Sequence, residues 1–468
     1  MRLLSKSYDK LEWLLLVLII FGPRLINLDR FLTADEPLFL EHAQKFAQAW
    51  ATGDFGLTAG IGYPGVTVAA WAAPIINLAQ TELGQYALGR AATATLTGIL
   101  LLLLYGLSRE LLGRGPALIG VGLLALDPFM LGYSRLFHIA APLALFMTVA
   151  GISLLLWLHT ERWPWLTLCG CFTGLALLTK STALLLAPMF VVVILTWTVS
   201  TGQWRSRRWW GRKLGGLVLL SLISGSLFFL LWPAMWVDPI GTLSLTFGKL
   251  FTDQEAGTGN LGLFWFGHFV EDPGPAFYPV AFLLKSTPWL LVGLILSLFY
   301  IFSDQRSAVS GQPLAVSSQP SAVSGRRSAI LHSSFFILHS SALWFFALTY
   351  LVIMTIASKK SIRYMLPAFP SFYILTGLAF THTFFKLRQI NFFNPTPNFS
   401  KPSSTSQLSN DPTVQPSNHP TIQPPNHPIS PSPHLPISIF ILMIGLSLTL
   451  FYHPYYLTYY NPLVLGWR

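Results

Sequence analysis

The sequence predicts an all-α integral membrane protein with about eleven transmembrane helices, and its composition and hydropathy both lead to this fold class. Hydrophobic residues make up 53% of the 468 residues, charged residues make up only 10%, and the mean hydropathy is +0.56. A soluble domain carries about 25% charged residues, so this chain has too few charges to cover a water-facing surface. Apolar runs of the length that crosses ~30 Å of hydrocarbon also recur along the chain.

The apolar runs place the helices in order along the chain. We expect spans near residues 11–28, 87–107, 116–133, 139–158, 166–179, 182–199, 214–232, 280–302, 342–357, 366–385 and 437–452. The first run follows a short basic head, is too long for a signal-peptide core and lacks a small-residue cleavage site. We therefore expect it to be retained as a membrane helix.

The positions of lysine and arginine predict how these helices are oriented. With the N-terminus inside, the inner segments hold 17 of the 29 basic residues, and the net charge of +11 lies on that side. This is the bias that positive-inside topology requires, and the basic run at 205–213 supports it most strongly. The pI of about 9.7 therefore reflects topology and contact with membrane lipid. No nucleic-acid-binding motif is present, so we expect no nucleic-acid partner.

The chain divides into membrane segments, two long outer loops and two spacers. The spacer sequences contain short repeats or are rich in Pro, Ser and Asn, and such compositions bury too little apolar surface to order themselves. We therefore expect both spacers to be disordered on the inner side. The predicted divisions are a transmembrane core at 1–302 with outer loops 29–86 and 233–279, spacers 303–341 and 386–436, helices nine and ten at 342–385, and the last helix with an outer tail at 437–468.

The first outer loop contains the strongest candidate for chemistry, an acidic couple formed by Asp35 and Glu36. Thr33 and Glu36 have the spacing of a helix capping box, and the segment that follows has the pattern of an amphipathic helix at the membrane surface. We expect the apolar side of this helix to consist of Leu40, Ala43, Ala47 and Trp50. The couple would lie just outside the bilayer, although acids at a helix N-terminus also favour the helix dipole without any further role.

Basic residues recur at the outer ends of the predicted spans, where positive charge is otherwise scarce. They are Arg90, Arg135, Lys180, Lys285, Lys359, Lys360 and Arg363. Any one of them could extend its charge to the interface from a helix end, but ionisable groups at membrane depth also mark cavities and sites. Cations beside a carboxylate couple suit a phosphate-bearing substrate with a hydroxyl acceptor. The cations neutralise the phosphate leaving group, and one carboxylate accepts the acceptor's proton.

The segment Asp35-Glu36-Pro37 resembles the acidic motif of the type-C glycosyltransferases, among which the protein O-mannosyltransferases and the lipid A aminoarabinose transferases are most similar. Further segments resemble bacterial members of this group in the same order along the chain. They are Tyr63-Pro64-Gly65, Arg90, Pro128, Ser134-Arg135, Leu178-Thr179-Lys180, Asp272-Pro273-Gly274, Tyr278-Pro279, Leu284-Lys285-Ser286-Thr287-Pro288, Lys360, Arg363-Tyr364-Met365-Leu366-Pro367, His453-Pro454-Tyr455-Tyr456 and Tyr459-Tyr460-Asn461-Pro462. The resemblance covers most of the chain outside the two spacers.

The resemblance implies a glycosyltransferase of the bacterial inner membrane, with its active site on the periplasmic or extracellular side. It would move a hexose or pentose from a polyprenyl-phosphate donor, with inversion, to a hydroxyl of a lipid, protein or polysaccharide acceptor of the cell envelope. Asp35 would be the general base, and Glu36 would orient the acceptor or help to hold a cation. The implied donor-phosphate ligands are Arg90, Arg135, Lys180, Lys285, Lys360, Arg363 and Tyr364.

One position departs from the pattern of the family. Members often carry an Asp shortly after the Ser-Arg pair of the third span, whereas His138 or its neighbours stand here. A histidine at this position could bind metal or pack as a neutral side chain, and His268 presents the same choice. No constellation of ligands predicts a metal site, so a divalent cation stays unassigned. Cys169 and Cys171 point to different faces of one helix and are expected to be packing residues.

Two other functions fit parts of the sequence. A transporter or flippase of a polar lipid would require charged or broken-helix positions near the middle of the bilayer, whereas most predicted spans are apolar at their centres. A non-catalytic component of envelope glycan assembly would not need the acidic couple, which is present. The enzyme is therefore the function that the sequence favours.

Overall fold

The computed structural model describes residues 2–30, 32–61, 65–246, 263–309, 320–357, 360–389, 434–453 and 455–461. Within these ranges the chain is mainly helical, and the only sheet described there is a two-stranded antiparallel hairpin. The all-α membrane class predicted from composition is confirmed.

Where the structure describes the connections between helices, most of them are short, apart from the two outer loops. Before the hairpin they are α1 (Arg2–Leu25), α2 (Glu36–Thr52), α3 (Val66–Ile76), α4 (Glu82–Leu112), α5 (Arg114–Ala125), α6 (Pro128–Ser134), α7 (Ala140–Thr160), α8 (Trp163–Thr179), α9 (Leu186–Ser200), α10 (Arg207–Leu231) and α11 (Ala234–Val237). The hairpin consists of β1 (Leu263–Trp265) and β2 (His268–Val270). After it come α12 (Phe277–Lys285), α13 (Pro288–Val309), α14 (Pro320–Ile356), α15 (Phe369–Gln389) and α16 (His434–Phe451). Short 3-10 helices lie at Phe55–Ile61, Ser181–Leu185, Gln203–Arg205, Ile362–Ala368 and Tyr456–Thr458.

The predicted spans all coincide with helices, with a bent pair of helices, or with a helix and the short turn before it. In the described part of the chain, five helices are long and apolar enough to cross a membrane, or up to seven if each bent pair is one span. The protein is therefore a multi-pass membrane protein. The total of about eleven spans stays a prediction, because the apolar helices at Trp163–Thr179 and Ile441–Phe451 have fewer residues than a membrane span needs.

Two spans are sharply bent. The α5–α6 pair turns by 64° and the α12–α13 pair by 117°. Pro128 opens α6, where its missing N–H interrupts the hydrogen bonding of a continuous helix. The carboxylate of Asp127 accepts a hydrogen bond of 2.7 Å from the N–H of Met130 and so caps α6. The bend directs residues 135–138 towards the first outer loop.

Helix α7 lies at the centre of the bundle and packs against α4 and α8. Its apolar window is 100% buried, whereas the corresponding window of α10 is only 17% buried. Glycines allow α5 and α15 to approach closely. A Cβ on Gly377 would lie 2.2 Å from the carbonyl oxygen of Pro116, and one on Gly120 would lie 2.8 Å from that of Tyr373. Small residues commonly serve this purpose where membrane helices cross.

The amphipathic helix predicted in the first outer loop is present as α2, and its predicted apolar side is confirmed for Leu40 and Ala43 but wrong for Trp50. Its buried residues are Glu36, Phe39, Leu40, His42, Ala43, Phe46 and Ala49. Trp50, which was expected on that side, is 57% exposed. Compared with the prediction, α2 is rotated about its axis. It packs against α3, and its first residue, Glu36, is buried.

The predicted spacers differ from the structure where it describes them. Helix α13 continues to Val309 and α14 begins at Pro320, so the described parts of the first spacer are helical rather than disordered. The apolar residues of its second half, such as the buried Phe336, continue directly into the membrane span, which explains the difference. In the second spacer α15 extends to Gln389, and residues 390–433 lie outside the described residues.

Candidate active site

The fold divides the acidic couple at the start of α2 into one buried and one accessible carboxylate. Glu36 is 0% exposed, whereas the side chain of Asp35 is 42% exposed. Consecutive residues of a helical turn point about 100° apart, so neighbouring acids can face opposite environments. The two carboxylates therefore have different capacities to meet a substrate.

Glu36 is fully engaged by the protein. Arg90 donates from Nε and Nη2 to its two oxygens at 2.7 Å each, and the N–H of Phe137 donates at 3.0 Å. Thr33 adds hydrogen bonds from its N–H at 2.8 Å and from its hydroxyl at 3.1 Å. The contact back to the Thr33 N–H is one half of the predicted capping box. These donors occupy the lone-pair directions of the carboxylate, so Glu36 has no capacity left for a substrate.

Arg90 joins three parts of the fold around Glu36. It is 3% exposed, and its Nη1 donates to the carbonyls of Leu28 and Arg30 at 2.7 Å each. The bidentate pair is the strong form of a carboxylate–guanidinium contact. Arg90 therefore fixes the first outer loop and the start of α2 to α4.

Asp35 instead contacts two side chains that come from distant parts of the chain. Its Oδ2 forms an ion pair with Nη1 of Arg363. Nε2 of His138 lies 3.4 Å from the same oxygen, which is long for a hydrogen bond, but contacts of this kind often tighten when substrate binds. The other oxygen, Oδ1, makes no hydrogen bond to the described residues.

A small cleft lies beside His138 and Arg363, the two side chains that contact Asp35. The side chains that line it include His138, Lys180, Thr182, Tyr350, Arg363 and Tyr364. Nζ of Lys180 lies 3.9 Å from the centre of the Tyr364 ring, on which Arg363 also packs at 5.7 Å. Nε of Arg363 is buried and makes no hydrogen bond with the described part of the chain. Three residues predicted to bind the donor phosphate thus meet at one cleft.

The first outer loop is tied to the end of α8 that carries Lys180. The N–H of Gly65 donates to the carbonyl of Thr179 at 2.9 Å, and the hydroxyls of Thr67 and Thr179 are 2.5 Å apart. Gly65 has a φ of +117°, which glycine adopts far more readily than other residues. This gives a physical reason for the glycine of the Tyr-Pro-Gly segment, whose first two residues lie outside the described ranges.

The charges around the couple keep both acids ionised. The neighbouring His138 and the guanidinium of Arg363 hold the pKa of the Asp35 carboxyl well below its usual range. Burial alone would raise the pKa of Glu36, but the hydrogen bonds from Arg90 and from two backbone N–H groups outweigh it and leave that pKa below its ordinary value. Burial lowers the pKa of His138, so this ring is neutral near pH 7.

Two of the remaining predicted ligands bind backbone carbonyls at other places. Arg135 donates to the carbonyls of Pro23 and Ile26 at 2.8 and 2.5 Å and so caps the C-terminus of α1. It lines a second cleft, together with Arg30. Nζ of Lys285 donates at 3.0 and 2.9 Å to the carbonyls of Leu457 and Tyr459 and lies 3.7 Å from the centre of the Tyr460 ring. The structure does not bring either side chain to the cleft beside Asp35.

Lys360 is close in sequence to Arg363, which lines the cleft, but its own side chain contacts other groups. Its Nζ is 3.0 Å from the Asp272 carboxylate and donates to the carbonyl of Ala357 at 3.1 Å. Asp272 belongs to the Asp-Pro-Gly segment of the second outer loop, so this pair connects that loop to the segment carrying Arg363. Lys359 lies outside the described residues.

Within the described ranges, no three His, Cys, Asp or Glu side chains come together to hold a metal ion. Nδ1 of His138 accepts a hydrogen bond of 3.0 Å from the N–H of Ala140. The neutral ring therefore carries its proton on Nε2 and presents a donor, not a ligand atom, to Asp35. Cys169 and Cys171 are free thiols.

Comparison with known families identifies a related segment within the membrane core. Residues 68–229 match the family model described as dolichyl-phosphate-mannose-protein mannosyltransferase. The matched range runs from α3 to α10 and includes Arg90, Arg135, His138 and Lys180. The acidic couple lies before it. No curated protein sequence matches the chain at a significant level.

Solved structures of two other proteins, ArnT and AglB, align with most of this chain. ArnT from Cupriavidus metallidurans bound to undecaprenyl phosphate aligns with a TM-score of 0.50 at 16% identity, over 82% of this chain and 64% of that chain. This chain therefore has the fold of ArnT. Apo ArnT gives a TM-score of 0.49 at 18% identity, over 82% and 62% of the two chains. Archaeal AglB from Archaeoglobus fulgidus, in complex with an inhibitory peptide and a dolichol-phosphate, gives 0.47 at 15% identity, over 98% and 56%.

The shared fold agrees with the resemblance inferred from the acidic motif and the ordered segments. The chain spans less than two thirds of the length of these solved relatives, since it covers 64%, 62% and 56% of them.

One buried acid, Asp127, was not among the residues singled out from the sequence. Asp127 is 0% exposed and accepts a hydrogen bond of 2.6 Å from the hydroxyl of Tyr373, which lies 2.7 Å from the hydroxyl of Thr287. These contacts tie the α5–α6 bend to α15 and to the start of α13. The signal that could have found Asp127 is the Asp-Pro pair, which is typical of a helix N-terminus.

Proposed function

We propose that the protein is a membrane glycosyltransferase that moves a sugar from a polyprenyl-phosphate donor to an acceptor hydroxyl, with inversion. The observation that carries the proposal is the accessible carboxylate of Asp35 beside a cleft lined by Arg363 and Lys180. This arrangement supplies a proton acceptor and phosphate-binding cations within one site.

Asp35 acts as the general base. The acceptor hydroxyl attacks the anomeric carbon of the donor sugar from the face opposite the phosphate, and its proton moves to Asp35. The bond between that carbon and the phosphate oxygen breaks, and polyprenyl phosphate leaves with the electron pair. A positioned base of this kind contributes about 10²- to 10⁴-fold to the rate.

Arg363 and Lys180 stabilise the leaving phosphate, and Tyr364 holds both cations at the cleft through its ring. A guanidinium binds phosphate through paired donors, and the buried Nε of Arg363 makes no hydrogen bond with the described residues. Preorganised donors at a developing negative charge are worth about 3 kcal/mol each. The apolar polyprenyl chain of the donor lies in the bilayer, which accounts for an enzyme built mainly from membrane helices.

The other predicted ligands support the site from a distance. Arg90, Arg135, Lys285 and Lys360 would reach a phosphate only by giving up the hydrogen bonds and ion pairs described above. Their direct contact with donor stays a prediction. Glu36 acts by fixing the start of α2, and thereby the position of Asp35, through its pair with Arg90.

The proposed site faces the outside of the bacterial inner membrane. Lys180 directly precedes the turn that opens α9, whereas the basic run at 205–213 follows the other end of α9 and continues into the first turns of α10. Positive-inside bias assigns that basic run to the cytoplasm. The cleft therefore lies on the periplasmic or extracellular side, where envelope lipids, proteins or polysaccharides supply acceptor hydroxyls.

Purified protein reconstituted in liposomes tests the proposal. It is incubated with labelled polyprenyl-phosphate hexoses and pentoses and with delipidated or lipid-containing envelope extracts as acceptors. Wild-type protein is expected to release polyprenyl phosphate and to label an acceptor. The Asp35→Asn variant is expected to insert normally into the membrane but to transfer no sugar. The Glu41→Gln variant, changed on the exposed side of the same helix, is expected to match wild type. Transfer by Asp35→Asn at the wild-type rate would remove Asp35 as base.

One observation favours a polar-lipid transporter as the second candidate. Two spans are bent, by 64° and 117°, and broken helices are typical of transport sites. At the first bend, however, the buried Asp127 is occupied by a backbone N–H and by Tyr373. Liposomes containing a fluorescent polyprenyl phosphate distinguish the two functions, since a flippase exposes the label to an external quencher without any acceptor.

A further inference from the structure

Oδ2 of Asp35 faces two hydrogen-bond donor side chains, one of which is also a ligand for phosphate in the proposed reaction. Arg363 forms an ion pair with this oxygen, and Nε2 of His138 lies 3.4 Å from it. The proposed sugar donor carries a phosphate, and this phosphate requires the guanidinium of Arg363. When the sugar donor is bound, the guanidinium of Arg363 turns towards its phosphate, which carries more negative charge than Asp35. His138 is then the protein hydrogen-bond donor that remains on Oδ2.

We infer that His138 is the positioning residue that holds Asp35 in place as base once Arg363 binds the donor phosphate. This inference rests on the proposed function and extends it to a residue outside the acidic couple. It assigns Oδ2 to His138 and leaves Oδ1, which makes no hydrogen bond with the described residues, to accept the proton of the acceptor.

The tautomer of His138 is the one that this role requires. Nδ1 accepts the N–H of Ala140 at 3.0 Å, where α7 begins. The proton of the neutral ring therefore resides on Nε2, the nitrogen directed at Asp35. A backbone hydrogen bond on one nitrogen and a carboxylate on the other together fix both the orientation and the protonation of an imidazole.

The surroundings of His138 keep its ring in place. It is 5% exposed, and it packs edge-on against Phe39 with ring centroids 5.2 Å apart and against Tyr133 at 5.8 Å. Its neighbour Phe137 donates the N–H that binds Glu36 at 3.0 Å. Phe137 and His138, which are consecutive before α7, thus contact the consecutive acids at the start of α2, Glu36 and Asp35 respectively.

The charges that face His138 favour a neutral donor over a cationic one. Arg363 and Lys180 repel positive charge on the ring, Asp35 attracts it, and burial opposes it. A neutral N–H orients the carboxylate while lowering its basicity less than a full positive charge would. His138 therefore restrains the base without competing for the proton that the base receives.

Two substitutions at position 138 test this role, with a substitution at a second histidine as control. His138→Ala removes the donor and the ring, whereas His138→Gln places an amide N–H near the position of Nε2. His159→Gln makes the same chemical change at the opposite end of α7. Single-turnover transfer is measured at saturating donor, and the donor KM is measured separately.

We expect His138→Ala to lower kcat by about 10²-fold, the effect of a small misplacement of a catalytic group, with donor KM within about twofold of wild type. His138→Gln is expected to recover at least tenfold of that loss, and His159→Gln to match wild type. Equal losses in the Ala and Gln variants, an unchanged kcat in His138→Ala, or a loss confined to KM would each overturn the inference. A failure of transfer by wild-type protein with every donor would instead contradict the proposed function.

A second readout needs no turnover. In protein labelled with [15N]histidine and embedded in bilayers, solid-state NMR reports which ring nitrogen of His138 carries the proton, and His138→Gln identifies its signal. The inference requires a proton on Nε2 and a shift of that signal in Asp35→Asn. A proton on Nδ1, or a signal that ignores Asp35→Asn, would overturn it even if transfer is observed.

Discussion

Asp35 and Arg363 are separated by 328 residues in the sequence and form an ion pair beside the cleft. The pair connects the residue that precedes α2, in the first outer loop, to the 3-10 helix that precedes α15. A base and a phosphate-binding cation are therefore neighbours before any substrate arrives. Donor binding must separate them in part, which couples occupancy of the phosphate site to release of the base.

Arg363 is expected to affect donor use more than folding. Arg363→Gln removes the charge that stabilises the leaving phosphate, and kcat/KM for the donor is expected to fall by about 10²- to 10³-fold. Arg363→Lys keeps the charge but loses the paired donors and should recover only part of the loss. Donor titrations of purified variants measure both effects. Wild-type kcat/KM in Arg363→Gln would show that this residue does not bind the donor.

The pH dependence follows from the lowered pKa of Asp35. Because His138 and Arg363 hold that pKa below its usual range, Asp35 stays ionised and should impose no acid limb on kcat/KM between about pH 5 and 8. Its ionisation stabilises the fold above the unfolded-state pKa of about 3.9, and this contribution is lost as pH falls through the lower folded-state pKa. In Arg363→Gln the pKa rises and the acid limb moves to higher pH. An unmoved limb would show that the two groups are not coupled.

Glu36 is expected to be essential for stability and not for chemistry. Glu36→Gln leaves Arg90 buried without its counter-charge, which is expected to cost about 3–5 kcal/mol in the free energy of unfolding. Glu41→Gln, which breaks the exposed pair with Lys45, should change it by less than about 1 kcal/mol. Thermal and denaturant unfolding in detergent measure the difference. A Glu36→Gln protein of normal stability without transfer would make Glu36 part of the reaction.

The crossing of α5 and α15 offers a test of the bundle itself. Gly377→Ala places a Cβ 2.2 Å from the carbonyl of Pro116 and 2.5 Å from the N of Gly120, so we expect it to destabilise the protein by about 1–3 kcal/mol. Gly225→Ala is a matched control in α10, because a Cβ there meets nothing within 4 Å. Equal unfolding midpoints for the two variants would contradict the observed packing.

Most of the helical framework could be predicted from hydropathy, because a membrane span must be long and apolar whatever its neighbours are. The rotation of α2 could not be predicted. Leu40 and Trp50 have similar apolar character, and only the contact with α3 decides that the first is buried and the second is 57% exposed.

The candidate site was predictable as a set of residue types but not as a geometry. Arg135 and Lys285 stand at outer helix ends, as Lys180 and Arg363 do, and the sequence does not distinguish a cation that binds carbonyls from one that lines a cleft. Adjacent acids likewise look equivalent in sequence. Their division depends on Arg90, which lies 54 residues after Glu36 and takes up its carboxylate.

The division of labour between Asp35 and Arg363 can be tested most directly by measuring donor binding and sugar transfer on the same preparations. Wild type, Asp35→Asn and Arg363→Gln are reconstituted in nanodiscs, and each is assayed for binding of polyprenyl phosphate and for transfer from the labelled donor. We predict that Asp35→Asn binds polyprenyl phosphate at least as well as wild type but transfers no sugar, whereas Arg363→Gln loses binding. Normal transfer by Asp35→Asn, or undiminished binding by Arg363→Gln, would contradict the account.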